Sequence, residues 1–231
     1  MARPEAPVDR TVRARAKLAD FLRARRAKAG LTYRQMAELT YGGPSKSTFE
    51  RAASGATVPT LEIVEEYVLR TMTKEEEFKG GVDAAIDQAR RLWTEARRAV
   101  RAPYYLHKAP DPALISNLAD FSRALRDQHV WAGCPSPGEM SLHASTGMLP
   151  KTTAYRIING RALPVTPDQA LAFLKACDVH ASEGLEWLAA AGRAFAGSRS
   201  HSDWIEAHAR LQGEIAKTRD DAPAPILKAV A

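Results

Sequence analysis

A chain of 231 residues, 45% hydrophobic and 26% charged, can bury one large or two modest cores, and these proportions exclude a wholly disordered protein. Two cysteines, Cys134 and Cys177, lie far apart with no CxxC spacing, so neither a disulfide framework nor a zinc site is expected and both read as free thiols. The net charge of +6 is concentrated: nine Lys/Arg (Arg3, Arg10, Arg13, Arg15, Lys17, Arg23, Arg25, Arg26, Lys28) face only Glu5, Asp9 and Asp20 in the first thirty residues, and the rest of the chain balances. Such a basic segment suits a polyanion, because neutralising phosphates releases condensed counterions.

In chain order, residues 1–16 read as a basic N-terminal arm. A helix carrying Phe21, Leu22 and Arg25 follows and ends near Gly30, where a left-handed glycine closes helices. Thr32 is an N-cap for a helix through Met36 and Leu39. The stretch Tyr41-Gly-Gly-Pro breaks it, and Ser45 caps the next helix, with Phe49 and Ala52 inward and Gly55 as its stop. Thr60 starts a fourth helix with the apolar stripe Leu61, Val64, Tyr67 and Val68. Residues 73–102 read as one connecting helix, since Val82, Ile86, Ala89, Trp93, Ala96 and Val100 recur at spacings of three and four; Gly80-Gly81 marks an irregularity near its start. A single helix of that length would span about 43 Å.

Three prolines make 103–115 a linker. In 116–197, Ser136-Pro137 supplies a cap with proline at N1, Pro150 and Pro167 open further helices, and Gly160 ends the one between them. A helix over about 184–196 and a break at Gly197 follow. Residues 198–231 hold a C-terminal helix with the stripe Trp204, His208, Leu211 and Ile215, then a tail expected to be disordered from Asp220. No segment alternates as a strand does, so the fold is expected to be all-α.

Two stretches answer one another. Leu18-Ala-Asp-Phe-Leu-Arg-Ala recurs as Leu118-Ala-Asp-Phe-Ser-Arg-Ala. Lys46-Ser-Thr-Phe-Glu-Arg-Ala-Ala-Ser-Gly-Ala-Thr-Val-Pro59 is matched by Lys151-Thr-Thr-Ala-Tyr-Arg-Ile-Ile-Asn-Gly-Arg-Ala-Leu-Pro164, with Lys, Thr, Arg, Gly and Pro in register. The chain reads as a tandem duplication.

Helix, capped short helix, glycine-bearing turn, then a second capped short helix ended by glycine: this order resembles the helix-turn-helix of the lambda-repressor/Cro type, the XRE family. Leu31-Thr-Tyr-Arg-Gln-Met-Ala-Glu-Leu and Pro44-Ser-Lys-Ser-Thr-Phe-Glu-Arg-Ala-Ala-Ser-Gly carry the likeness in 17–72. The second copy departs from it where Pro-Gly-Glu-Met replaces Tyr-Arg-Gln-Met and His143 falls on a usually apolar position. The resemblance implies two lambda-repressor-like bundles, joined by the long helix and the Pro-rich linker, that bind double-stranded DNA. The expected role is a transcriptional regulator, a repressor rather than an activator, in the bacterial cytoplasm and on the nucleoid.

The N-terminal end of a recognition helix enters the major groove and needs short polar and basic groups there. Lys46, Ser47, Thr48, Glu50 and Arg51, with Lys151, Thr152, Thr153, Tyr155 and Arg156, are therefore the expected base contacts: Lys and Arg toward guanine, Glu toward cytosine, Tyr toward a thymine methyl or a phosphate. The resemblance and the basic arm together point to Tyr33, Ser45, Ser54, Asn159, Lys17, Arg15 and Arg13 as phosphate contacts, which fix register without reading sequence.

Enzyme motifs are missing from the sequence. Gly43-Pro-Ser-Lys-Ser-Thr lacks the glycine that a phosphate loop needs before its lysine and reads as a turn. No cofactor or metal is expected, His201 and His208 being too far apart for a metal signature. No apolar run approaches the ~20 residues that cross a bilayer, and the polar N-terminus is unlike a signal peptide. Two alternatives stand beside the regulator: a replication, partition or telomere accessory protein of a plasmid or phage, and a protein-interaction adaptor in which the second copy and C-terminal helix bind a partner or a second protomer.

Overall fold

The structure, a computed structural model, describes residues 5–40, 42–105, 108–144 and 147–220, with side chains through 217. Arg3, Tyr41 and the tail from 221 lie outside the described residues. All regular structure among the described residues is helical, and the chain forms two compact units, Met1–Tyr105 and Leu106–Ala231.

In the first unit α1 spans Arg13–Ala29 and ends on Gly30 at φ 67°, where a side chain would be strained. Helix α2, Tyr33–Glu38, starts at Thr32, whose hydroxyl accepts from the Gln35 amide while the Gln35 side chain accepts from the Thr32 amide. Ser45 caps α3, Lys46–Ala52, by accepting from the Thr48 amide. Helix α4 spans Leu61–Arg70. The expected connecting helix is two elements: α5, Lys74–Phe78, and α6, Val82–Arg101. Gly80 turns left-handed at φ 65°, and Gly81 donates to the Glu76 carbonyl at 2.8 Å, which closes α5 before α6 begins.

That break changes the architecture. Helix α6 alone is about 30 Å long at 1.5 Å per residue, and it packs against α1 and α4 instead of standing clear of them. Ala85, Ala89 and Ala96 join Leu18, Leu22, Met36, Phe49, Val64, Tyr67 and Val68 in one core. Trp93 adds a hydrogen bond from its indole Nε1 to the Pro59 carbonyl, 2.8 Å. At the centre, Tyr67 meets Phe49 and Tyr33 edge-on, with centroids 5.6 and 6.4 Å away, an arrangement that favours aromatic pairs.

The second unit opens with a 3-10 turn at Pro112–Leu114, inside the stretch expected to be linker; Arg193 donates to the Pro112 carbonyl at 2.8 Å and Ile115 is buried. Helix α7, Leu118–Trp131, is capped by Asn117, and α8, Pro137–His143, by Ser136 with Glu139 closing the capping box. Helices α9, Lys151–Ile158, and α10, Pro167–Ala176, begin at the expected prolines. Helices α11, Ala181–Ala194, and α12, His201–Asp220, complete the unit. Phe121, Leu125, Met140, Ile157, Phe173, Leu188 and Trp204 fill its core. Trp204 stacks on Phe195 at 4.8 Å and meets Phe121 edge-on at 5.9 Å, so the α12 stripe is spent largely on its own unit.

Candidate nucleic-acid interface

A helix of 3.6 residues per turn anchored on one side exposes the other. In α3, Phe49 and Ala52 are buried, Lys46, Ser47, Glu50 and Arg51 are exposed, and Thr48 is half-buried. In α9, Ala154 and Ile157 are buried, Lys151, Thr152, Tyr155 and Arg156 are exposed, and Thr153 is half-buried. Position for position the two short helices show the same face to solvent, and all ten expected base contacts lie on it.

Within α3 these groups rest on one another. Lys46 Nζ lies 3.5 Å from Glu50, and the Arg51 Nε donates to the Ser47 carbonyl at 3.3 Å. An exposed pair one turn apart contributes only about 0.3–0.5 kcal/mol, so a base edge can replace it at little cost. Ser45 Oγ sits 2.9 Å from both the Ser47 and Thr48 hydroxyls, a compact polar cluster at the helix start. Helix α9 begins instead at Pro150, and the Lys151 chain leans over α8, its Cε 4.0 Å from where a Cβ on Gly138 would stand. Leu142, on α8, is 85% exposed, and Val165, between α9 and α10, 77%.

The expected phosphate contacts divide. Ser45 is exposed beside α3. Ser54 donates to the Arg51 carbonyl at 2.7 Å, and Asn159 to the Tyr155 carbonyl at 2.8 Å, so both side chains close their helices. Tyr33 is only 7% exposed, and its hydroxyl donates to Glu5 at 2.5 Å while the Arg26 guanidinium lies 4.3 Å over its ring. Burial, reinforced by the bond to Glu5, raises its phenol above the ordinary range and keeps the proton on oxygen.

The basic arm lies against the fold. Helix α1 starts at Arg13, and residues 5–12 run back over the turn after α3 as a strap. Asp9 donates its amide to the Ser54 carbonyl at 2.8 Å, and its carbonyl lies 2.6 Å from where a Cβ on Gly55 would stand; only glycine admits the strap there. Arg15 holds the Ala56 carbonyl and the Thr11 hydroxyl, and Lys17 lies 3.9 Å from Glu95. Arg10 pairs with Asp20, Arg23 and Arg26 with Glu5, and Arg25 and Lys28 with Glu76. Of these expected contacts, Arg13 and Lys17 are exposed and Arg15 is half-buried. The composition counted these cations correctly, but their partners lie up to 78 residues away, as Glu95 does from Lys17, beyond what spacing reveals.

A family model described as a helix-turn-helix domain matches residues 17–77, from α1 through α5. The first unit carries a helix-turn-helix domain. In it α2 and α3 are consecutive short helices packed on one another. No curated protein and no solved structure matches the chain. Among the described residues no cluster of His, Cys, Asp and Glu is fit to hold a metal, and no helix is long and apolar enough to cross a membrane. Glu5, missed by the sequence reading, is the acidic hub beside the helix-turn-helix.

Proposed function

We propose that this protein binds duplex DNA in a sequence-specific manner, as a transcriptional regulator of the XRE type, and that its role is binding rather than catalysis. The observation that carries the reading is the matched exposure of α3 and α9, each presenting Lys, a hydroxyl pair and Arg on one face over a buried apolar side. The second unit is then a diverged duplicate of the first, with α3 the stronger reader because its surroundings are polar. Occupation of a promoter by such a reader represses transcription.

Footprinting of genomic sites tests this in the full chain. Two protected half-sites are expected, of which the double change Lys151→Ala/Arg156→Ala erases one and Lys46→Ala/Arg51→Ala abolishes sequence preference. A footprint indifferent to the α9 changes would remove the second reader. The exposed Leu142 and Val165 beside α9 favour one other reading, a second unit that docks a protein partner, and an α9-independent footprint would point there.

A further inference from the structure

A phenol, a guanidinium donor and a second guanidinium charge converge on one carboxylate at the edge of the helix-turn-helix. Glu5 Oε1 accepts from the Tyr33 hydroxyl at 2.5 Å and lies 3.0 Å from Arg23 Nε; Glu5 Oε2 accepts from Arg26 Nη2 at 2.7 Å. The donors do not depend on Glu5 for their placement. Arg23 Nε donates its one hydrogen to the Ala53 carbonyl at 2.8 Å and Nη2 donates to the Ala6 carbonyl at 2.9 Å, Arg26 Nη1 donates to the Leu31 carbonyl at 3.0 Å, and Tyr33 is fixed in the aromatic core. Two guanidinium charges and a phenol therefore stay aimed at one point whatever fills it. That point lies between the residue closing α3 and the residues opening α2, whereas the Glu5 side chain is one-third exposed on the strap.

We infer that Arg23, Arg26 and Tyr33 form a phosphate-binding pocket, and that Glu5 occupies it as an internal stand-in which a backbone phosphate of duplex DNA displaces. A phosphodiester offers the same single negative charge and the same pair of terminal oxygens as a carboxylate, and preset guanidinium donors suit both. The exchange frees one carboxylate near the duplex for each phosphate gained, so the strap lowers affinity for all sequences alike and leaves base preference to α3. This inference rests on the DNA-binding reading above, but half of its test does not.

The test uses Glu5→Gln, which keeps size and removes charge, in the full chain, with helicity and melting checked against the parent. Inorganic phosphate should raise the melting temperature of Glu5→Gln more than that of the parent, and Arg26→Gln added to it should cancel the gain. The same variant should bind specific and random duplexes several-fold more tightly, with the slope of log affinity against log salt steeper by about 0.9, one additional phosphate. If Glu5→Gln is too unstable, Glu5→Ala with phosphate present during folding reads the same difference. No gain in phosphate binding overturns the pocket, whether or not the chain binds DNA. A gain in phosphate binding with unchanged duplex affinity overturns the exchange. Binding of phosphate by the variant while neither protein binds any duplex overturns the DNA-binding reading and the exchange with it.

Discussion

Arg51 carries the sharpest expectation at the scale of single residues. It lies on the exposed face of α3 one turn beyond Ser47, whose carbonyl accepts from its Nε at 3.3 Å. Replacing it with alanine should relax base preference at one position by about 1–3 kcal/mol, the worth of a good bidentate contact. A panel of single-base operator variants checks this, the expected outcome being a flat profile at one base pair only. Lys17 is different. Its amine sits near Glu95, so its removal should weaken all sequences similarly and mildly. The two residues are alike in charge and differ in what the fold gives them to do.

At the scale of elements, Glu76 ties α5 to α1. Glu76 caps its own helix by accepting from the Thr73 amide at 3.0 Å and reaches across to Lys28 at 2.9 Å and Arg25 at 3.2 Å on α1. The Lys28 bond, then the Thr73 amide and the Arg25 charge, lower its carboxyl from 4.5 to about 2. A depressed folded value means that the stabilisation is whole above the unfolded carboxylate value of 4.5 and is lost as pH falls toward 2. Acid titration of stability should therefore show a loss between these limits that Glu76→Gln flattens, at the expense of lower stability at neutral pH. The sequence displayed the local half of this arrangement, because Thr73 and Glu76 are three residues apart and make a capping box. It hid the other half, since Arg25 is 51 residues away. The same division runs through the fold. Caps at Thr32, Ser45 and Ser136 and the helix-opening prolines at 150 and 167 were legible because they act over three or four residues. The two faces of α3 and α9 were legible from periodicity. The docking of α6 onto α1 and α4, the strap and the Glu5 hub depend on long-range packing and pairing, and neither period nor motif reports those.

For the whole molecule, each unit has its own core. Trp204 is wholly buried against Phe195 and Phe121 in the second. Trp204→Ala should remove about 3–5 kcal/mol from that unit, as loss of a large buried aromatic does. Denaturant unfolding would show the shift, and duplex binding through α3, which draws on the other core, is expected to persist. Finally, the strap has a practical side. Glu5 and Asp9 are pinned beside α1 and the turn that ends α3, so a bulky affinity tag or fluorophore joined at Glu5 would strain the contacts that hold the strap. Reporters for binding assays belong on the exposed side of α12, whose buried stripe already faces its own bundle.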